Sequence, residues 1–262
     1  MNLDLTGKKA MVCGSTQGIG KAVAMELAQM GASVVLVARN QESLAKVKNE
    51  LDASKGQQHD FFAADFSAPE DLKVKAEQYI STNGTIDILI NNTGGPPGGP
   101  IVNAKTEEFI KTFNNHLICN HILVQAVAEG MKSKCDGRII NIISTSVKQP
   151  LKGLGVSNTI RAAVANWAKT LSLELGPFGI TVNNVLPGAT NTVRLSSIIE
   201  AKAAKTGHSK EFLRDEMLSE IPAGRFAEAS EIANAVAFLA SPAAAYINGI
   251  NVPVDGGRTG NL

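Results

Sequence analysis

Short apolar runs and helical stripes alternate along this chain almost from its start. Lys9-Ala10-Met11-Val12-Cys13 is an apolar run that ends at Gly14, and 18–30 carries Ile19, Val23, Leu27 and Met30 at helical spacing. The order is strand, turn, helix. The pattern repeats with a strand at Ser33–Ala38, a helix over 42–53, a strand over 60–64, a helix over 69–81 and a strand over 86–90. It continues with a long helix over 106–134, a strand over 138–143, a helix over 157–175, a strand over 180–186, a helix over 230–240 and a last short strand at Val252-Pro253-Val254. Seven strands, apolar enough to be buried on both faces and separated by crossover helices, predict an α/β fold with a doubly wound parallel sheet and helices on both faces.

Two stretches interrupt this rhythm. Thr93-Gly94-Gly95-Pro96-Pro97-Gly98-Gly99-Pro100 is too rich in glycine and proline for a helix and predicts a shaped loop after the fourth strand. The segment 191–221 is polar, rich in Lys and Glu, and helical only in pieces. It reads as a substrate lid, with a surface pair of helices as the plainer alternative.

Composition narrows the function classes. The 262 residues are 44% hydrophobic, sufficient for a full core, and no linker or repeat divides 1–262 into two domains. With 25 basic and 24 acidic residues the net charge is +1, so neither a nucleic-acid footprint nor attraction to an anionic membrane is expected, and a small molecule is the expected partner. Cys13, Cys119 and Cys135 are odd in number and lack CxxC spacing, which argues against disulfides and a metal site and fits a reducing cytoplasm. No secretory h-region and no run of ~20 apolar residues is present.

The first strand–turn–helix unit holds Gly14-Ser15-Thr16-Gln17-Gly18-Ile19-Gly20. Glycines there permit a tight turn and let backbone amides and the positive helix end approach a pyrophosphate, so this loop is the candidate dinucleotide site. Its G-x-x-x-G-x-G spacing resembles that of the short-chain dehydrogenase/reductase family, and other segments join the resemblance. Asn91-Asn92-Thr93-Gly94 resembles the family's N-N-A-G, and Val254-Asp255-Gly256-Gly257 its C-terminal segment. The resemblance spans nearly the whole chain and implies a Rossmann-type domain that assembles as a dimer or homotetramer. It implies that Asp65 faces the adenine, that Asn91 belongs to the cofactor site, and that Pro187, Gly188, Thr190 and Thr192 hold the nicotinamide amide. Within the family the pattern is most similar to the 3-oxoacyl-carrier-protein reductase branch.

Cofactor choice is expected at the end of the second strand. An acidic residue there would accept from a ribose 2′-hydroxyl and repel a 2′-phosphate; this chain has Ala38 followed by Arg39, whose planar charged fork suits phosphate. NADP(H) is therefore expected over NAD(H).

The family's proton chemistry uses an Asn, a Ser, and a Tyr with a Lys four residues on. Ser144 falls on the family serine, but the Tyr position is Ser157 and the Lys position is Arg161, in a segment whose Arg161-Ala162-Ala163-Val164 matches K-A-A-L. The Asn position falls on His116, with Asn115 adjacent should the alignment shift by one residue. A serine hydroxyl is far less acidic than a phenol of pKa ~10, and arginine holds its proton where lysine can relay one. Tyr79 and Tyr246, the only tyrosines, lie in segments remote from the expected site. Two classes of function remain. In one, an oxidoreductase uses Ser144 to orient a carbonyl, Arg161 at the nicotinamide ribose, and His116, with a reference pKa of ~6.5, or a water held by Ser157 to supply the proton. In the other, the protein binds the dinucleotide without hydride transfer.

Overall fold

The computed structural model describes residues 1–261. Its first half runs β1 (Lys9–Cys13), α1 (Gly18–Gln29), β2 (Ser33–Ala38), α2 (Gln41–Glu50), β3 (Asp60–Ala63), α3 (Pro69–Asn83) and β4 (Ile88–Asn91). The second half runs α4 (Thr106–Phe113), α5 (Cys119–Lys134), β5 (Gly137–Ile142), α6 (Gly155–Leu175), β6 (Ile180–Pro187), α7 (Val193–Thr206), α8 (Lys210–Ser219), α9 (Ala229–Ala240) and β7 (Asn251–Val254). All seven strands pair in parallel in the order β3-β2-β1-β4-β5-β6-β7, the doubly wound sheet that the apolar runs predict.

Strand alternation divides the core between the two faces. Val12, Leu36, Ile90, Ile140 and Ile142 pack with Leu27 of α1, Leu44 of α2 and Val236 of α9. Met11, Val35, Leu89, Ile139 and Val182 pack on the other face with Leu72 of α3, Leu123 of α5 and Ala168 of α6. Because β1 lies between β2 and β4, the direction of winding reverses at its carboxyl end. That reversal leaves the crevice where open α/β sheets bind ligands.

One element differs from the sequence expectation. The helix expected over 106–134 is broken by a π turn at Asn114–Ile118, which adds one residue to a turn and so leaves the apolar spacing nearly helical. The 191–221 segment is the ordered helix pair α7–α8, packed on Leu195, Ile199, Leu213, Ile221 and Phe226, with Lys202–Glu216 and Lys210–Glu200 ion pairs outside. The glycine-proline stretch is irregular, as expected, and is tied down by Gly99 N donating to Gly153 O (2.7 Å) and Gly155 N donating to Gly99 O (3.1 Å). Among the described residues, no helix is long and apolar enough to cross a membrane and no His/Cys/Asp/Glu group could hold a metal ion.

A row of four asparagines crosses the carboxyl half of the sheet. Asn91 Nδ2 donates to Asn141 Oδ1 (2.9 Å), Asn141 Nδ2 to Asn184 Oδ1 (2.9 Å), and Asn184 Nδ2 to Asn251 Oδ1 (2.8 Å). The strand register sets these residues side by side, and the first three are buried. Each interior amide both gives and accepts, so removing one leaves two buried partners unmatched. Each buried unsatisfied group costs about 1–3 kcal/mol. Asn141→Leu is therefore expected to lower unfolding stability by about 2 kcal/mol or more in urea titration. A loss under about 0.5 kcal/mol, the size of an ordinary surface change, would show that the row is not a stabilising network.

Candidate active site

The Gly14–Gly20 turn joins β1 to α1. Gly14 has φ +60, and a Cβ there would sit 2.8 Å from Asn92 O; a Cβ on Gly20 would run into Gly14 O, so both positions require glycine. Asn92 stitches the turn to the end of β4, its Nδ2 donating to Cys13 O (3.1 Å) and Gly14 O (3.4 Å). Ser15 is fully buried with its hydroxyl toward Val37 O (3.5 Å), Ile19 packs on the core, Thr16 is half-buried and Gln17 exposed. Gln17 precedes α1 without capping it, and the first turn has no acidic residue, whereas Asn40 caps α2 and Thr192 caps α7. The N-terminal amides of α1 are thus left with no side-chain acceptor beside a turn that permits close approach, which is the donor arrangement a pyrophosphate requires. The residues fit a dinucleotide.

Arg39 is exposed just past β2 and makes no ion pair among the described residues, so its guanidinium is available to a ligand. Asp65, just past β3, accepts from Ser67 N (2.9 Å). That bond, with help from Arg39 and Lys111, holds its carboxyl below the ordinary range despite some desolvation. A recess of about 310 Å³ lined by Ser67, Glu107, Ile110, Lys111, Asn114 and Asn115 lies nearby. Asn91, the terminal residue of β4, keeps an unpartnered buried Oδ1 while its amide enters the asparagine row.

Beyond β5, Ser144 is half-buried and its Oγ accepts from Ser146 N (3.1 Å), which leaves its own proton free to donate. Arg161, on α6, is buried. Its Nη1 donates to Ile142 O (3.0 Å), while Nε has no partner. Burial, reinforced by nearby Arg194, pushes its pKa down to about 10, so the guanidinium remains charged at neutral pH. Ser157, one helical turn earlier, is half-buried and its hydroxyl has no hydrogen-bond partner among the described residues.

His116 lies in the π turn and is buried. Desolvation and the charge of Arg161 push its pKa down to about 2, against an opposing hydrogen bond to the Gly94 backbone. Both effects favour the neutral ring. Asn115 points elsewhere, its amide donating to Lys111 O (3.1 Å) and Phe66 O (2.9 Å), so His116 holds the inward position. Tyr79 stacks on Phe62 and Tyr246 is fully exposed.

Past β6, Gly188 packs against Asp255, and Thr190 Oγ1 donates to Gly188 O (3.1 Å). Thr192 Oγ1 donates to Thr190 O (3.2 Å) and accepts from Leu195 N, with its methyl 3.4 Å from where a Gly18 Cβ would lie. The start of α7 therefore touches the Gly14–Gly20 turn. Arg194 was not singled out from sequence; its Nη2 donates to Pro96 O (2.6 Å), clasping the glycine-proline loop to α7. The only sequence signal was its place directly after Thr192 and Val193. The structure thus forms two groups, one of Gly14, Gly18, Asn92 and Thr192, the other of His116, Arg161, Arg194 and Gly94–Pro96.

Comparison with known proteins places the chain. A family model described as enoyl-(acyl carrier protein) reductase matches residues 14–259. The chain is 35% identical to 3-oxoacyl-[acyl-carrier-protein] reductase FabG of Vibrio cholerae and 32% identical to NADPH-dependent reductase BacG of Bacillus subtilis, each over 97% of this chain and 98% of the relative. L-sorbose reductase from Gluconobacter frateurii, solved in complex with NADPH and L-sorbose, superimposes with a TM-score of 0.92 at 31% identity over the full length of both chains. With the glycine turn, the N-N-x-G segment and the parallel sheet already located, these matches establish that the chain belongs to the short-chain dehydrogenase/reductase family, in its 3-oxoacyl-acyl-carrier-protein reductase-like branch.

Proposed function

We propose that the protein is an NADP(H)-dependent oxidoreductase that reduces a carbonyl to an alcohol, or runs the reverse oxidation, on a small or acyl substrate. The observation that carries this reading is that a turn fitted to pyrophosphate, a serine with a free hydroxyl proton and a charged arginine bound to Ile142 O all lie at the carboxyl ends of the central strands β1 and β5. Relatives described as NADPH-dependent support it. Arg39 and the absence of a carboxylate at Ala38 support a 2′-phosphate. Asp65 is assigned to the adenine, Asn91 to the cofactor site, and Pro187, Gly188, Thr190 and Thr192 to the nicotinamide amide. Exposed Ile110 and Phe113 on α4 and Leu173 on α6 support a homodimer or homotetramer built through these helices.

When bound, NADPH supplies a hydride. Ser144 donates its hydroxyl proton as a hydrogen bond to the substrate oxygen and fixes the carbonyl. Arg161 contacts the nicotinamide ribose and, being fixed and charged, stabilises negative charge that develops on that oxygen. It holds its proton, so the oxygen is protonated from solvent that reaches the unpartnered Ser157 hydroxyl. His116 is a positioning residue that supports the Gly94 backbone. The loss of any relay phenol favours a second reading, a dinucleotide-binding protein without turnover. NADPH consumption over a broad carbonyl panel separates the two: turnover with any carbonyl supports the first, and none in the wild type, with turnover restored in Ser157→Tyr/Arg161→Lys, supports the second.

Arg39→Asp is expected to weaken NADP⁺ binding by about tenfold or more, the value of one charge-assisted contact, and to leave NAD⁺ binding equal or tighter. Fluorescence titration of both cofactors reads this, and an unchanged NADP⁺/NAD⁺ ratio would contradict the assignment. For an active enzyme, kcat/KM is expected to show no break between about pH 5 and 8, because a group held far below its ordinary pKa is already neutral throughout that window. A break near ~6.5 that vanishes in His116→Gln would return the histidine to the role of proton donor.

A further inference from the structure

Arg161 is 8% exposed, and the hydrogen bond from Nη1 to Ile142 O is the single one it makes among the described residues. Its Nε is buried with no acceptor. No carboxylate pairs with it, in contrast to Arg138 with Asp136, Arg225 with Glu231 and Arg258 with Glu220. The nearest charge is a second cation. Arg194, itself without an ion pair, stands close enough to act on Arg161 electrostatically, and a Cβ built on Gly95 would lie 3.5 Å from Arg194 Nη2 and 3.7 Å from Arg161 Nη2. Two guanidinium groups therefore flank the same glycine of the 94–96 loop.

Desolvating one charge without a partner costs several kcal/mol, and adding a like charge beside it raises that cost. The compensation has to come from a ligand. On the reading proposed above, the part of the cofactor that reaches Arg161 is a ribose, whose hydroxyls are neutral and leave the two charges unbalanced. We propose that Arg161 and Arg194, with the Gly94–Pro96 backbone between them, form an anion subsite that selects substrates carrying a carboxylate beside the reacting carbonyl. Ser144 is two residues beyond Ile142, about 7 Å at the rise of an extended chain, so carbonyl and carboxylate sit within a few bonds of each other. The substrate class is a short oxo acid rather than a neutral polyol or a long thioester. A planar fork on each arginine suits bidentate or bridging contact with a carboxylate. Arg194 also ties α7 to the loop through Pro96, so an anion held by both arginines fixes the two walls of the site together.

The inference rests on the oxidoreductase reading but is tested separately from it. Pyruvate, acetoacetate and 4-oxopentanoate, each paired with its methyl ester, are titrated calorimetrically into protein saturated with NADP⁺. At least one acid is expected to bind about tenfold or more tightly than its ester, the value of one charge-assisted contact. The preference is expected to fall to near unity in Arg194→Ala and Arg161→Gln. Arg194 lies at the exposed start of α7, so its variant keeps the fold, which an unchanged unfolding midpoint checks. Equal binding of all three acids and esters by the wild type would overturn the subsite, as would an acid preference that survives in Arg194→Ala. Failure of the wild type to bind NADP⁺ would overturn the dinucleotide reading instead, and the acid–ester comparison is then made on the cofactor-free protein.

Discussion

Burying the guanidinium of Arg161 with a single carbonyl acceptor is the constraint around which the candidate site is arranged. Ile142 can supply that acceptor because the paired residues of β4 and β5 end at Asn91 and Asn141, one step earlier. The charge reaches several neighbours. It helps keep His116 neutral, it stands with Arg194 across the Gly94–Pro96 loop, and it leaves Nε unmatched. A protein interior does not hold such a charge cheaply, and functional sites are where uncompensated charges persist.

Rigid elements hold this charge in place. The asparagine row links the carboxyl ends of β4 and β5 to the middle of β6 and the start of β7, below the loops that carry Asn92, Ser144 and Gly188. Asn92 then ties the β4 loop to the Gly14 turn, and Arg194 ties the same loop to α7. On the reading proposed above, the site offers an unpartnered serine hydroxyl at Ser157 and a fixed cation at Arg161. That combination is suited to electrostatic stabilisation of an oxyanion and poorly suited to passing protons.

Most of the fold was legible because it rests on local periodicity. Buried strands such as Ser33–Ala38 are nearly continuous apolar runs, and the helices between them show regular spacing. The glycine turn was legible because its residues are consecutive in sequence, whereas the reading of Ser157 and Arg161 rests on the register of their segment alone. The π turn at Asn114–Ile118 was hidden, since one added residue scarcely disturbs the apolar stripe. His116 was legible as a candidate but its protonation was not, because that depends on Arg161, forty-five residues away in sequence. Arg194 and the asparagine row could not be read at all. Their roles come from a contact between the first turn of α7 and a loop far upstream, and from a strand register that only the folded sheet defines.

On the proposed reading, Arg161 occupies the cofactor-facing position with a charge that cannot relay a proton. A crystal structure of the NADP⁺ complex tests it most directly. The account predicts the guanidinium of Arg161 still bound to Ile142 O and within hydrogen-bond distance of the nicotinamide ribose, with the pyrophosphate at the N-terminus of α1. A complex in which Arg161 makes no contact with the cofactor, its charge met instead by a protein carboxylate, would contradict it.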